Sequence, residues 1–344
     1  MSRARLTALT AFFAIAGILA AGFFAARGEM ACRIREFRNT RFHMDTCIII
    51  VVSAPASREK EVQAAMEDAF SVFESLDNKL SFFKPGSLLQ QINSQSEFTL
   101  TDPDGIQVIS KSLDIARVSG GAFDPTLGAL KTLYPIGSEN PCPPGGREIA
   151  QALSRCGYRK VSLQGGRIVK PEGLMLDLGG YLKGYAVEMA SKRLSGRGFE
   201  NFMVDGGGNI RASGKNQWGK PWRIGLENPR VSGGIVAVIP LDNRAIATSG
   251  DYQRCFFYDG VRYHHVLDPA TGKPARRAVS ATVIAPDAAT ADAMSTAAFV
   301  KGRRDGIPFL ESAGLEGIIL DEEGASATGS LGRTVEIEYN GKKK

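Results

Sequence analysis

No two of the five cysteines (Cys32, Cys47, Cys142, Cys156 and Cys255) stand in CxxC spacing, which argues against a structural zinc site. Cys142 and Cys156 could pair in an oxidising compartment, but spacing gives no geometry, and unpaired thiols are the default reading. Neither a GxxxxGK[ST] nor a GxGxxG stretch is present, so the two common nucleotide-binding loops are absent. Aromatic and basic residues do not interleave as single-stranded nucleic acid requires, and the formal charge of +6 is scattered. Nucleic acid is therefore not an expected partner. No repeat of fixed period runs through the chain.

What is present is a globular composition. The 344 residues are 43% hydrophobic and 23% charged, enough for one large domain or two ordinary ones. Arg3 and Arg5 precede an uncharged run over 6–26. At about 1.5 Å per residue such a helix just spans a bilayer core of roughly 30 Å. Residues 1–27 are expected to be a signal peptide or membrane anchor, residues 28–42 a linker, and 43–340 the folded domain. Either a signal peptide or an anchor would carry the domain across a membrane, although the arginines after the run oppose simple export.

Periodicity predicts a buried strand over 46–53 and an amphipathic helix over 57–78, where Val62, Ala65, Met66, Ala69, Phe70, Phe73 and Leu76 recur at three and four. A short helix over 87–93 is capped by Ser87, and another over 106–119 stops at Gly120 and Gly121. Residues 137–146 read as a loop and 148–156 as a helix. Strands are expected over 160–163, 167–170 and 174–178, the last entering a Gly-Gly turn before a helix over 183–194. The second half is rich in strands: 202–204, 222–226, 234–239, 245–248, 255–258, 263–267 and 278–284. A helix over 290–301 and strands over 317–320 and 334–339 close the pattern. Hairpins dominate, which favours an α+β fold with a largely antiparallel sheet and packed helices.

Several stretches carry chemistry. Asp292 and Thr296 lie four apart on a predicted helix and share a face, where carboxylate and hydroxyl suit a hard cation. In LDLGGYLKGYAVEMA (176–190), glycines at a helix start let a ligand approach the backbone, with Asp177 and Lys183 beside it; an ordinary strand-to-helix turn would look the same. DGGGN at 205–209 is equally a phosphate wrap or a tight bend. Phe123 in AFDPT (122–126) is a core aromatic or a platform for a flat ring. His264 and His265 are adjacent on a predicted strand and point to opposite faces; the DPATG turn that follows favours His265. Tyr258 and Tyr263 read as packing residues.

Taken in order, FHMDT (42–46), Leu80 and Ser81 with Ser87 and Asn93, GAFDPT (121–126), LDLGGYLKGYAV, GGGNI, ATSGDY, HHVLDPATG and ADAMSTAAF resemble the ApbE family of FAD:protein FMN transferases, across nearly the whole expected domain. The resemblance implies an ApbE-type T-fold-like architecture. It implies that FAD is the substrate and is cleaved at its pyrophosphate, that FMN is joined to a threonine or serine hydroxyl of an acceptor flavoprotein, a membrane redox-complex subunit, and that AMP is released. Carried across, Met44, Phe83, Ala122, Phe123, Asp124, Asp177, Lys183 and Leu267 would line the FAD pocket. Asp292, Thr296 and the Gly180 carbonyl would hold Mg2+, and His265 would be the base. Two positions depart from the family pattern: Asp45 stands where glycine is usual, and Phe83 where tyrosine is common. Competing expectations are an FAD pyrophosphatase, giving FMN and AMP, and a non-enzymatic FAD-binding protein. Thr328, in EGASAT (323–328), loosely resembles an acceptor threonine, though a hairpin turn is the plainer reading.

Overall fold

A computed structural model describes residues 33–339 and 341–343. The expected signal or anchor segment and the start of the expected linker lie outside the described residues. Among those described, no helix is long and apolar enough to cross a membrane. The remainder of the expected linker is instead a strand. β1 (Ile34–His43) pairs antiparallel along its whole length with β2 (Thr46–Pro55). Only Phe37 of β1 is buried, and Arg35, Arg38 and Arg41 occupy an edge, so the apolar alternation that announces a strand is missing.

The chain continues through α1 (Glu59–Leu80), α2 (Leu88–Asn93), β3 (Glu97–Thr99), α3 (Pro103–Val118), α4 (Gly128–Lys131), α5 (Gly146–Ser154), β4 (Ser162–Gln164), β5 (Arg167–Val169) and α6 (Gly179–Gly196). Then come β6 (Phe202–Gly206), β7 (Asn209–Ser213), β8 (Trp222–Glu227), β9 (Ile235–Leu241), β10 (Ala245–Gly250), β11 (Cys255–Tyr258), β12 (Val261–His264), β13 (Ser280–Ala285), α7 (Ala288–Ser312), β14 (Glu316–Asp321) and β15 (Gly324–Ala327). Eight strands form one sheet in the order β1-β2-β6-β7-β10-β13-β14-β15. Every neighbouring pair is antiparallel, as expected for the α+β class.

Alternation along the strands separates two cores. Ile48, Ile50 and Val52 of β2 and Ala245 and Ala247 of β10 face the core that α1 and α6 complete. Val51 and Ile246, between them, face the opposite core, which the β8–β9 hairpin covers with Trp222, Ile224 and Leu226. With both faces covered, all six residues of β13 are buried, Ser280 and Thr282 among them, and Thr282 Oγ1 meets Thr248 Oγ1 of β10 at 2.8 Å.

The helices that reach the site pack without spacers. A Cβ on Gly184 of α6 would lie 2.3 Å from the Ala288 carbonyl oxygen and 2.6 Å from Asp292 Cβ of α7. Gly302, at φ 75 and ψ 176, interrupts α7 where the predicted helix ends, and helix resumes as far as Ser312. A side chain there would meet Arg277 Cβ at 2.4 Å.

Three expected strands differ. Residues 174–178 are extended but form no ladder: Asn93 takes the Leu176 N–H at 2.8 Å and donates to its carbonyl at 2.9 Å, doing the work of a partner strand. Helix α6 then begins directly at Gly179. The strand expected over 263–267 ends at His264, and of 334–339 only Glu338–Tyr339 is strand. Cys47, Cys142, Cys156 and Cys255 are free thiols, while Cys32 lies outside the described residues. Thr328 is 1% exposed and its hydroxyl accepts from the Gly317 N–H at 3.2 Å, so it is not available as an acceptor.

Replacing Gly184 with alanine should push α6 from α7 and lower stability by about 1–3 kcal/mol, the usual scale of overpacking. A fall in the urea midpoint without a change in slope would register it.

Candidate active site

A cavity of about 750 Å³ reaches from the helical side of the sheet past the β6–β7 turn to the space beneath the β8–β9 hairpin. That volume lies within the range of roughly 300–1,000 Å³ typical of small-molecule sites. Its walls include Met44, Phe83, Ala122, Phe123, Asp124, Asp177, Gly180, Lys183, His265, Leu267, Asp292 and Thr296. The twelve residues that the family resemblance assigned to the FAD pocket, the cation and the base thus line one cavity.

Asp292 and Thr296 share a face of α7, opposite the first turns of α6. Asp292 is 5% exposed, and its Oδ2 accepts the Gly184 N–H at 2.8 Å. In a regular helix that N–H points at the carbonyl four residues back, which is Gly180. The carboxylate of Asp292 and the carbonyl of Gly180 therefore converge on one donor. A Cβ on Gly180 would lie 3.5 Å from Thr296 Oγ1 and 3.1 Å from the Phe123 ring. Glycine at 180 keeps this corner open. Burial raises the Asp292 pKa, while the Lys183 charge and hydrogen bonds from Gly184 and Asn209 oppose the rise. A buried carboxylate, a hydroxyl and a backbone carbonyl form a set of hard oxygen donors. Among the described residues no group of three or more His, Cys, Asp or Glu forms a fuller cage, so a cation here would draw its remaining ligands from elsewhere.

The opposite wall is built around Asp177. Its two oxygens receive Lys131 Nζ at 2.8 and 2.9 Å, and Oδ1 also accepts the Gly179 N–H at 3.1 Å. The single negative contact expected from sequence is therefore a paired one. Lys131 Nζ stands 5.1 Å from the centre of the Phe83 ring, and Phe83 is 61% exposed, a free aromatic face at the cavity edge. Asp124 is committed to the wall itself: it accepts from Thr126 N at 2.9 Å, Thr126 Oγ1 at 2.6 Å and Tyr158 N at 3.0 Å. Burial raises its pKa despite these bonds. Phe123 is almost wholly buried, so it serves as core aromatic and cavity wall together. Met44 and Asp45, at φ 51 and 58, form the two-residue turn between β1 and β2. A turn with two positive φ angles favours glycine, and aspartate is among the few other residues that tolerate it.

The two histidines separate, His264 as the last residue of β12 and His265 in the bend that follows. His264 is buried, with Nε2 2.8 Å from the Ala275 carbonyl and its ring edge-on to Phe299. His265 presents its surface to the cavity. Enclosure by the walls, then the Lys183 charge, lower its pKa well below the ordinary histidine value. Tyr263 stacks on Phe256 at 5.2 Å, as a packing residue should, whereas Tyr258 is 39% exposed.

The 205–209 stretch is the turn between β6 and β7, and it also lines the cavity. Gly207 and Gly208 adopt φ 71 and 90, and Asp205 Oδ1 accepts the Gly208 N–H at 2.9 Å. Sequence reasoning gave Asn209 and Ser249 no individual role and missed Lys131 and Arg254. Asn209 and Ser249 sit inside the GGGNI and ATSGDY stretches, and Ser249 Oγ reaches Thr296 Oγ1 at 3.2 Å. No local pattern marks Lys131, whose partner lies 46 residues away.

The model of the ApbE family matches residues 44–319. An FAD:protein FMN transferase of Treponema pallidum is 34% identical over 293 residues, spanning 78% of this chain and 80% of the relative. One from Vibrio cholerae is 34% identical over 249 residues, 70% of this chain and 74% of the relative. The crystal structure of the ApbE protein of Thermotoga maritima superposes with a TM-score of 0.80 at 35% identity, over 86% of this chain and 98% of that one. The flavin transferase ApbE of Vibrio cholerae gives 0.78 at 28% identity, over 87% and 98%. With the family pattern spanning the central strands of the sheet and both helices of the site, this chain belongs to the ApbE family.

Proposed function

We propose that this protein transfers the FMN moiety of FAD to a hydroxyl of a target protein, threonine by preference, and releases AMP. The observation that carries the reading is the meeting of Asp292, Thr296 and Gly180 in the same cavity as Lys183 and His265. The relatives named above as FAD:protein FMN transferases support it.

In the reaction, the acceptor Oγ attacks the phosphorus on the FMN side of the pyrophosphate. The P–O bond to the AMP phosphate breaks, and AMP leaves with the bridging oxygen. The acceptor proton passes to His265, which is neutral at physiological pH because its pKa is depressed. Lys183 places a positive charge beside the departing phosphates, and Phe83 offers a ring face to a flat heterocycle. The oxygen donors at Asp292, Thr296 and Gly180 fit magnesium, because a buried carboxylate there has only neutral hydrogen-bond donors. Bound magnesium would neutralise pyrophosphate charge and stabilise the leaving phosphate. Positioning and charge neutralisation then supply most of the catalysis.

The apolar run over 6–26 supports export, with the domain working on the periplasmic side of a bacterial inner membrane, either anchored or released by cleavage. An acceptor that is a subunit of a membrane redox complex would then be met on the same side.

Incubation with FAD, magnesium and a protein bearing an acceptor threonine should yield target carrying covalent FMN, read by flavin fluorescence and intact mass. Free FMN and AMP without attachment would indicate hydrolysis instead, and intact FAD a carrier. Asp292→Ala should cut turnover beyond the roughly 10–100-fold that outer partners of a metal site are worth, and abolish the magnesium response. A magnesium titration checks this. His265→Ala should slow transfer by about 10²–10⁴-fold while FAD affinity is unchanged, the range for a lost general base.

The pH dependence has a definite sign. The neutral imidazole is the active form, and its pKa is lowered, so activity should persist on acidification through the ordinary histidine value of about 6.5. A kcat/KM profile between about pH 5 and pH 8 tests it, and an acid limb centred at 6.5 or above would contradict the assignment.

A further inference from the structure

We propose that Arg254 is the positioning residue for His265, holding the imidazole in the tautomer that leaves Nε2 as the proton acceptor. The proposal rests on the role given to His265 above. A carbonyl oxygen can only accept. That of Arg254 receives the His265 backbone N–H at 3.2 Å and stands 3.4 Å from Nδ1 of the same residue. Nδ1 therefore carries the proton, and the lone pair of Nε2 is free. The neighbouring ring is held the other way round. His264 Nε2 donates to the Ala275 carbonyl at 2.8 Å, and its Nδ1 accepts the Val266 N–H at 3.3 Å. Two consecutive histidines thus occupy opposite tautomers, one built into the fold and one turned to the cavity.

The bond from Nδ1 is long, so a small shift of the loop carrying Arg254 would release it. A second anchor holds that loop. Arg254 Nη2 donates to the Asp45 backbone carbonyl at 3.2 Å and lies 3.7 Å from its carboxylate. One residue is therefore tied through its carbonyl to the segment leaving β12 and through its side chain to the turn between β1 and β2. Both ends line the cavity. The charged groups acting on His265 are Lys183 of α6 and Arg254 itself, with His264 alongside. Cations disfavour a doubly protonated ring, which leaves the carbonyl to decide where the single proton sits.

Long-range 1H–15N NMR on the full chain reads the tautomers directly, and with only three histidines present the signals are readily assigned by substitution. His265 should show protonated Nδ1 and bare Nε2, and His264 the reverse. In Arg254→Ala, His265 should become a mixture while His264 is unchanged, and kcat should fall roughly tenfold at constant KM for FAD, the effect of a slightly misplaced base. Arg254→Lys should recover most of that loss. Asp45→Asn, which keeps a residue tolerant of positive φ, should cost less than Arg254→Ala and add nothing to it. A wild-type His265 protonated at Nε2 would overturn the proposal. So would Arg254→Ala with unaltered tautomer and kcat, or with a raised KM alone, which would make Arg254 a substrate contact. If His265→Ala turns over normally, the base reading fails, and the NMR pattern still decides the tautomer by itself.

Discussion

The site depends on how closely α6 and α7 approach each other. Gly184 has no side chain, so its N–H reaches the Asp292 carboxylate at 2.8 Å, in the space where a Cβ would collide with α7. That single contact brings the carboxylate beside the first turn of α6, where Gly180 and Lys183 line the same cavity. A helix N-terminus favours negative charge, so the turn suits both the carboxylate and an anionic ligand. The small residues Ala288, Ala289, Ala291 and Ala293 at the start of α7 permit the approach, and all are buried.

Charge around the cavity is distributed unevenly, and the pattern is informative. Asp177 is matched by Lys131, and Asp251 by Arg230 at 2.8 and 2.9 Å and Arg262 at 3.0 Å. Burial raises the Asp251 pKa, yet the two guanidiniums outweigh it and hold the carboxyl below its usual range. Asp251 in turn ties the end of β10 to β12, the strand that leads to His265. Asp292 is treated differently: its hydrogen-bond partners are a backbone N–H and an amide, and its pKa is raised. A buried carboxylate left with neutral donors is suited to a cation that arrives with its substrate.

Much of the fold was legible because most elements obey one dominant period. The spacing of Val62, Met66, Phe70 and Phe73 describes α1, and all four are buried. Ser87 caps α2 as its position implied, accepting the Gln90 N–H at 3.1 Å. The failures occur where the partner is non-local. Strand β1 looks like a linker because its order comes from β2 and not from its own apolar face. Residues 174–178 look like a strand because Leu174, Leu176 and Leu178 are buried, but their backbone bonds go to the Asn93 side chain, the Pro125 carbonyl and the Gly128 N–H, which give a single bridge and no ladder.

For the site, the sequence determined which residue types are available and which face of a helix or strand they share. Asp292 beside Thr296 follows from a period of 3.6, and Ser249 on the same side of β10 as Ala245 and Ala247 from a period of two. Those relations are local, so a linear chain encodes them without reference to anything distant. Tertiary structure decided which groups meet: Lys131 with Asp177 across 46 residues, Gly184 with Asp292 across 108, and Arg254 with Asp45 across 209. Such meetings are settled by the packing of helices on a sheet whose strand order departs from chain order, and no local period carries that information.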